Sequence, residues 1–396
     1  MDRPPLEVAD IIRQAWPSFL AGNQAWFTWL HLKVLTAILR CRTAALGAHV
    51  DACSHCGHRT ISYNSCRNRH CPRCQTQARD RWIAARTGEL LPAPYAHVVF
   101  TLHHALVPLA LQNKRAIYAL LLQTSAETLL EVARDPRHLG AEIGFFSILH
   151  TWNQQLQLHP HVHCVVPAGG LSANHRRWVH AKPKYLLPVG VLRKVFRGKF
   201  VDGLRELYAR HELVLEGRLA PLRQEKTFSA LLETVHRKKW VVYAKRPFGG
   251  AGHVVQYLGR YTHRVAISSR RLVSLEQGRV TFRWRDSAHG NEQKLMTLTA
   301  HEFLRRFLLH VLPPGFVRIR HYGLFSHRNR RALVPLCRRL LESAQPVSEP
   351  HSSAPPNTLQ KPLWKCPVCS GPMAIIERLT AAELRLRAPP YNVCSA

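Results

Sequence analysis

The chain has 396 residues, of which 56 are lysine or arginine and 24 are acidic, and its formal net charge is +32 at pH 7. A globular chain this basic repels itself unless it binds a polyanion, and its composition favours nucleic acid as that polyanion. No apolar run has the length of a membrane span and no secretory signal peptide is recognisable. We therefore expect a cytoplasmic protein (nuclear in a eukaryote) with no membrane partner.

Helices and strands are predicted to alternate irregularly along the chain. Residues 5–45 have helical periodicity, and a cysteine-rich segment follows up to Arg81. Strands are predicted at 96–102, 145–152, 161–166, 240–244, 265–269 and 271–286, with a turn at Gly169-Gly170 and a hairpin turn at 276–279, and helices at 114–134, 191–211, 228–238 and 299–311. A linker rich in Pro and Ser at 343–363 precedes a short tail. This order predicts an α+β fold.

The cysteine segment has the spacing of a zinc ribbon, with two Cys-x-x-Cys pairs. Four thiolates in two such pairs suit tetrahedral Zn²⁺ in a closed, structural site. The predicted ligands are Cys53, Cys56, Cys71 and Cys74, with Cys66 and His70 as alternates. Arginines among them make this segment a plausible DNA contact. A further pair, Cys366 and Cys369, forms half of a second site, for which the sequence shows no complete set of four ligands.

Two histidines, His161 and His163, occupy alternate positions of a predicted strand and therefore project from one face. Paired imidazoles leave coordination positions open for a phosphate oxygen, as in a catalytic metal site. A His-x-His triplet is a weak signal in a chain with 25 histidines, and a structural zinc site or a surface pair are alternatives.

Tyr257 and Tyr261 are four residues apart, so on a helix both hydroxyls face the same side. Arg260 lies between them and Arg264 follows them, which favours phosphate neutralisation, although aromatic residues at this spacing more often line a core. A nearby metal ion or cation would supply the activation that a tyrosine nucleophile needs. No phosphate-binding loop is present, so we expect no nucleotide cofactor.

A basic stretch, 318–339, is predicted to hold the DNA backbone without reading sequence. Its candidate contacts are Arg318, Arg320, Arg328, Arg330 and Arg331.

Together these motifs resemble the two-tyrosine HUH transposases of the insertion-sequence-91 family over roughly residues 20–340. The likeness lies in the following segments: Tyr63-Asn-Ser-Cys-Arg-Asn-Arg-His-Cys-Pro-Arg-Cys74, His97-Val-Val-Phe-Thr-Leu102, His150-Thr-Trp152, His159-Pro-His-Val-His163, Trp240-Val-Val-Tyr-Ala-Lys245 and Gln256-Tyr-Leu-Gly-Arg-Tyr-Thr-His-Arg264.

The resemblance implies a five-stranded antiparallel HUH sheet with flanking helices, which carries the paired histidines on a central strand beside the tyrosine helix. It implies three parts: a helical and zinc-ribbon-like domain at 1–90, a catalytic domain at 91–340, and a linker with a Cys-x-x-Cys tail at 341–396. The implied enzyme is a transposase that nicks and rejoins single-stranded DNA through 5′-phosphotyrosine, with Mg²⁺ or Mn²⁺ polarising the phosphate.

Two histidines leave a third metal ligand to be found, and the resemblance points to Gln154. The alternatives are His103 or His104, Gln256, and a reading in which Gln154 is only a surface residue. The rival functions are a replication initiator or relaxase with the same chemistry, and a non-catalytic zinc-finger protein that binds nucleic acid.

Overall fold

The computed structural model describes residues 4–23, 26–87, 90–182, 185–248, 265–286, 289–343 and 365–387. Tyr257, Tyr261, Arg260, Arg264 and Gln256 lie outside these ranges. Among the described residues, no helix has the length and apolar character needed to cross a membrane.

The helices are α1 Val8–Gly22, α2 Trp29–Arg40, α3 Pro72–Thr87, α4 Val107–Gln112, α5 Lys114–Arg134, α6 Val189–Ala209, α7 Glu225–Arg237, α8 Ala300–Leu309, α9 Arg330–Glu342 and α10 Ala381–Arg387. The strands are β1 Ala48–Cys53, β2 Arg59–Tyr63, β3 Tyr95–Thr101, β4 Gly144–Trp152, β5 Leu158–Pro167, β6 Gly169–Leu171, β7 Trp178–His180, β8 Val242–Phe248, β9 Leu272–Glu276, β10 Arg279–Asp286, β11 Glu292–Thr299, β12 Ile319–Gly323 and β13 Met373–Leu379.

The largest sheet has five strands in the order β12-β4-β5-β3-β8, and every neighbouring pair is antiparallel. Strand β5 is its centre. Because side chains alternate along a strand, Val162 and Cys164 face one side, where they pack in a core with α5, α6 and α7. Val165 faces the other side, in a second core to which α9 contributes. The histidines of β5 share this second face.

A second layer packs the N-terminal helices against the C-terminal half of the chain. Helices α1 and α2 share a hydrophobic core with α8 and the three-stranded sheet β11-β10-β9. Strands β9 and β10 are joined through Gln277 and Gly278, which both have positive φ (47° and 71°), as a tight hairpin requires. The side chain of Thr299 accepts a hydrogen bond from the backbone N–H of Glu302 and caps α8.

The third sheet joins the two ends of the chain. Its order is β13-β1-β2, and β13 runs antiparallel to β1 from the pair Ala48–Leu379 to the pair Cys53–Met373. The tail, which the sequence predicted as a separate part, thus contributes a strand to the cysteine-rich head, by which we mean residues 4–87.

The mixed α and antiparallel β architecture confirms the predicted class, and the predicted helix 114–134 coincides with α5. Three local predictions differ from the structure. The segment 265–269 is a bend followed by a 3-10 turn, β11 was not predicted, and Gly169-Gly170 begins the buried strand β6 instead of making a turn.

Candidate metal centres

Three histidines meet on the face of the central sheet opposite α5. His150 of β4 is the register partner of His161 of β5, and His163 follows two residues later. Their potential ligand nitrogens all lie within 4.8 Å of one another. We call His150, His161 and His163 the histidine group. The sheet brings together the two predicted histidines and adds one from the neighbouring strand.

The surroundings of His161 prepare it as a ligand. Its Nδ1 lies 2.6 Å from the backbone carbonyl of His159. Because a carbonyl only accepts, this contact places the proton on Nδ1 and leaves the Nε2 lone pair for a metal ion. Burial lowers the pKa of His161 to about 4, so the imidazole is neutral at pH 7.

His97 of β3 supports the group from the other side. Its Nε2 lies 2.8 Å from Nδ1 of His163, and the two rings stack with centroids 5.0 Å apart. Burial, with smaller contributions from Lys245 and His161, lowers the pKa of His97 to about 3. A hydrogen bond to one nitrogen of a ligating imidazole fixes its ring and tautomer, which is the role that His97 can take for His163.

Gln154, the predicted third ligand, lies in the turn between β4 and β5. Its backbone carbonyl accepts a hydrogen bond from Arg271, one residue before β9. The neighbouring carbonyls of Gln155 and Leu156 accept from Arg306 and His310, each at 3.0 Å. The turn is therefore held from the second layer, while the third imidazole of the group comes from His150.

One set of cysteines is built into the core of the head. Cys41, Cys66, Cys71 and Cys74, the inner cysteine group, have sulfur atoms within 4.8 Å of one another. Cys74 Sγ lies 3.5 Å from both Cys41 Sγ and Cys66 Sγ. Zinc with Zn–S distances of about 2.3 Å needs tetrahedral sulfurs about 3.8 Å apart, so this set fits Zn²⁺.

Arg73 ties the inner cysteine group to α1. It lies between Cys71 and Cys74, donates to the carboxylate of Glu7 and donates to the carbonyl of Cys41 at 2.8 Å. The Glu7 side chain is 5% exposed, so the pair is largely removed from water.

The second set is Cys53, Cys56, Cys366 and Cys369, the outer cysteine group, whose sulfurs also lie within 4.8 Å of one another. Cys56 and Cys369 are exposed. Hydrogen bonds lower the pKa of Cys53 to about 6, and the one from the backbone N–H of Cys56 has the largest effect. The lower pKa favours the thiolate that a metal requires.

The structure thus corrects the predicted zinc set. Cys53 and Cys56 belong to one group and Cys71 and Cys74 to the other. Cys66, predicted as an alternate, completes the inner group together with Cys41. His70 does not join it: its Nε2 accepts from the backbone N–H of Leu312 at 3.4 Å.

Family models match both halves of this arrangement. A model described as "Transposase zinc-binding domain" matches residues 11–102, and one described as "Putative transposase" matches residues 144–332. The chain is 48% identical over 386 residues to "Putative transposase y4qJ" of Sinorhizobium fredii (strain NBRC 101917 / NGR234), which covers 95% of this chain and 96% of that protein. The chain belongs to the insertion-sequence-91 family of transposases.

A second relative is "Transposase for insertion sequence element IS801" of Pseudomonas savastanoi pv. phaseolicola, 28% identical over 406 residues, 97% of this chain and 93% of that protein. No solved structure matches the chain significantly. The zinc-binding match supports structural Zn²⁺ in the head of this transposase.

The basic residues predicted to hold DNA are not equivalent in the transposase. Arg318 is half-buried and donates to Gln75 at 3.1 Å, and desolvation, with a smaller contribution from Arg69, lowers its pKa to about 10. Arg320 is partly buried, and its guanidinium lies 5.6 Å from the ring centre of Phe316. Arg328 and Arg331 are exposed, and Arg330 is intermediate. Of the five candidates, Arg328 and Arg331 are therefore the exposed ones, and the other three are half-buried.

Two arginines of the cysteine segment also serve the fold. Arg73 bonds Glu7, as described above, and Arg69 donates to the backbone carbonyls of Leu312, Pro313 and Phe316. These bonds join the head to the segment after α8.

Sequence reasoning missed His150 and Cys41 as candidate ligands. His150 stood in a quoted family segment, but its pairing with His161 depends on the β4–β5 register. Cys41 has no partner at Cys-x-x-Cys spacing, and it reaches the inner cysteine group because it follows α2.

Proposed function

We propose that this transposase nicks and rejoins single-stranded DNA through 5′-phosphotyrosine intermediates during rolling-circle transposition. The observation that supports this function is the histidine group, which offers three imidazole nitrogens within 4.8 Å on neighbouring central strands. Tyr257 and Tyr261, in the segment with the family's tyrosine motif, are the proposed nucleophiles.

In the proposed reaction, a tyrosine oxygen forms a bond to a DNA phosphorus while the bond from that phosphorus to the 3′ oxygen breaks. The tyrosine loses its proton and the departing 3′ oxygen gains one. The 5′ phosphate stays on tyrosine, so the phosphodiester energy is kept for rejoining, and no nucleotide is consumed. The second tyrosine allows a second strand to be cut before the first is rejoined.

A divalent cation bound by the histidine group would polarise the scissile phosphate. We propose His150 as the third ligand, because its nitrogen lies with those of His161 and His163. Three imidazoles are a softer donor set than the two imidazoles and one amide expected with Gln154. Since Mg²⁺ prefers oxygen ligands, this set favours Mn²⁺ over Mg²⁺.

The test is a covalent adduct. The full-length protein is incubated with single-stranded oligonucleotides from both ends of its element and with Mn²⁺, and SDS-resistant protein–DNA complexes are counted. The Tyr257→Phe/Tyr261→Phe double variant should form none, while Tyr185→Phe, which changes a tyrosine 44% exposed in the segment before α6, should behave as the wild type. Adducts in the double variant would refute the proposed nucleophiles.

The third ligand is tested by comparing His150→Ala with Gln154→Ala. We expect His150→Ala to lower the cleavage rate at limiting Mn²⁺ by about 10- to 100-fold, the usual cost of weakening a metal site. Gln154→Ala should change it by less than about threefold, because the turn is held through the backbone carbonyl of Gln154. The opposite ranking would restore Gln154 as the ligand.

The same assay separates the rival functions. A non-catalytic zinc-finger protein would bind the oligonucleotides without forming adducts. A replication initiator or relaxase would form adducts on an origin sequence and none on element ends. Both relatives are named as transposases, which supports the element ends as the first substrates to try.

A further inference from the structure

We propose that the outer cysteine group binds a second structural Zn²⁺ that fastens the C-terminal tail to the head. Its four cysteines come from opposite ends of the chain, since Cys53 and Cys56 border the β1–β2 turn and Cys366 and Cys369 precede β13. The matched zinc-binding domain ends at residue 102, so it does not include the tail ligands.

The sulfur atoms have the separations that a single zinc ion requires. Cys53 and Cys369 lie 3.5 Å apart, Cys56 and Cys366 3.6 Å, and Cys56 and Cys369 3.4 Å. A disulfide needs about 2.05 Å between sulfurs, whereas tetrahedral zinc needs about 3.8 Å. Four sulfurs that all lie within 4.8 Å of one another suit one shared ion better than two separate bonds.

The two Cys-x-x-Cys turns have the same backbone geometry. The N–H of Cys53 bonds the carbonyl of His58 at 2.9 Å, and the N–H of Cys366 bonds that of Gly371 at 2.8 Å. The N–H groups two residues after each first cysteine, His55 and Val368, both lie 3.4 Å from its sulfur.

The residues that follow in each turn also have equivalent hydrogen bonds and φ angles. Gly57 bonds the carbonyl of Cys53 and has φ +71°, while Ser370 bonds that of Cys366 and has φ +59°. Backbone N–H groups directed at sulfur stabilise thiolate, which is the form that binds zinc. Repetition of one ligand turn on two distant segments is the strongest argument for a shared ion.

Strand pairing brings the two turns together. Six residue pairs join β1 to β13, and Ser54 donates its backbone N–H to the carbonyl of Pro372 at 3.1 Å. The zinc ion would lie at the end of this strand pair and prevent it from opening.

The first experiment counts metal. Full-length protein purified without chelator should contain two equivalents of structural zinc, and the Cys366→Ser/Cys369→Ser variant should contain one. The matched control is Val368→Ser in the same turn, because this side chain is 69% exposed and the contact of Val368 with Cys366 Sγ is made by its backbone N–H. It should keep both equivalents. One equivalent in the wild type, unchanged in the double variant, would overturn the proposal.

The second experiment does not depend on how the variants fold. Cys56 and Cys369 are exposed, so as metal-free thiols they should be alkylated rapidly, whereas zinc should protect them. Mass spectrometry of the native protein, before and after chelation, reports each site. Rapid alkylation without chelator, or a disulfide among these cysteines in freshly purified protein, would refute the shared zinc ion.

A separate observation concerns the outer face of the sheet β11-β10-β9. We infer that this face binds the backbone of single-stranded DNA, an inference that rests on the proposed function. Arg279, Arg283 and Arg285 are exposed at alternate positions of β10, while Val280 and Phe282 between them are fully buried in the core. The three guanidinium groups therefore share the solvent face.

The neighbours of Arg283 and Arg285 on this face are uncharged. Thr281 and Thr297 share a hydrogen bond of 2.8 Å between hydroxyls, and Leu295, 61% exposed, lies opposite Arg283. Glu276, the last residue of β9, lies opposite Arg279, and Glu292, the first residue of β11, lies opposite Asp286. Side chains two residues apart on a strand are separated by about 6.8 Å, a spacing suited to successive phosphates of an extended strand.

The position of the sheet relates this face to the histidine group. Arg271, one residue before β9, bonds the carbonyl of Gln154 in the β4–β5 turn and the carbonyl of Arg283 in β10. DNA bound to the sheet β11-β10-β9 would thus lie close to the β4–β5 turn, which follows the strand that carries His150.

The test measures binding without cleavage, in the absence of divalent metal, by fluorescence anisotropy with a single-stranded oligonucleotide. Replacing Arg279, Arg283 and Arg285 by Gln should reduce the slope of log affinity against log salt by about 2, since each phosphate contact contributes about 0.7. The control changes three exposed arginines elsewhere, Arg176, Arg218 and Arg237, to Gln and so removes the same charge.

Equal slopes for the two variants would refute the sheet as the DNA surface, and a loss confined to duplex DNA would assign it to double strands instead. Adduct formation is scored separately. A protein that binds through the sheet but forms no adduct would contradict the proposed function and leave this inference standing.

Discussion

Each of the two cysteine groups offers four sulfur atoms to a metal ion, but the groups occupy different physical settings. In the inner group, Cys41 and Cys71 are fully buried and belong to the hydrophobic core shared by α1, α2 and α8. In the outer group, Cys56 and Cys369 are exposed, and the ligands meet at the end of a strand pair. We infer that the inner site is part of the folding core, whereas the outer site fastens one segment to another.

The largest expected difference between the groups is in stability. Cys71→Ser should remove the inner zinc and unfold the head, because the free energy of structural zinc binding is also folding free energy. Thermal unfolding and zinc content of the full-length protein measure this. Cys369→Ser, changed in the same way in the outer group, should release its zinc and the tail while the main unfolding transition stays. Equal losses of the main transition would remove the distinction.

A smaller effect is expected from the ion pair beside the inner group. Arg73→Met leaves the largely buried carboxylate of Glu7 without its guanidinium and should cost about 3 kcal/mol in the free energy of unfolding. Arg59→Met, at an exposed position of β2, is the control and should cost less than about 0.5 kcal/mol. Urea unfolding compares them, and similar costs would show that the Arg73 pair adds nothing to the inner site.

The smallest effect is a pH dependence in the layer that surrounds the inner group. Burial lowers the pKa of His310, at the end of α8, to about 3. The unfolded chain, with an ordinary histidine pKa near 6.5, binds a proton there that the folded protein does not, so stability falls as the pH drops from about 6.5 towards 3. One such group contributes at most about 1.4 kcal/mol per pH unit.

His310→Gln should reduce that slope, measured by urea unfolding between pH 7 and pH 4.5. The exposed His327, changed to Gln, is the control. An unchanged slope in His310→Gln would show that the layer around the inner group does not carry the acid sensitivity.

Local sequence patterns predicted the features of the sites that depend only on local backbone geometry. Alternation placed His161 and His163 on one face, and the Cys-x-x-Cys spacing identified three ligand turns. The partners of these turns depend on contacts between distant segments: Cys53 meets Cys366 through the β1–β13 pairing, and His150 meets His161 through the β4–β5 register. No spacing in the sequence encodes either contact.

The same limit of sequence-based prediction applies to helices, strands and single side chains. Helix α5 was predicted with its observed bounds, because its 21 residues have long apolar periodicity. Strand β11 was missed, since its outward side chains include Leu295, which obscures the alternation. The half-buried position of Arg318 and its hydrogen bond to the side chain of Gln75 could not be predicted, because Gln75 is distant in the sequence.

The order β13-β1-β2 makes everything between β2 and β13 an insertion within a small terminal sheet. A truncation that ends the chain before Met373 would remove β13 and therefore convert β1 from a central strand into an edge strand. The edge would expose a row of backbone N–H and C=O groups that can pair with other molecules. We expect such truncated proteins to self-associate even where their central five-stranded sheet is intact.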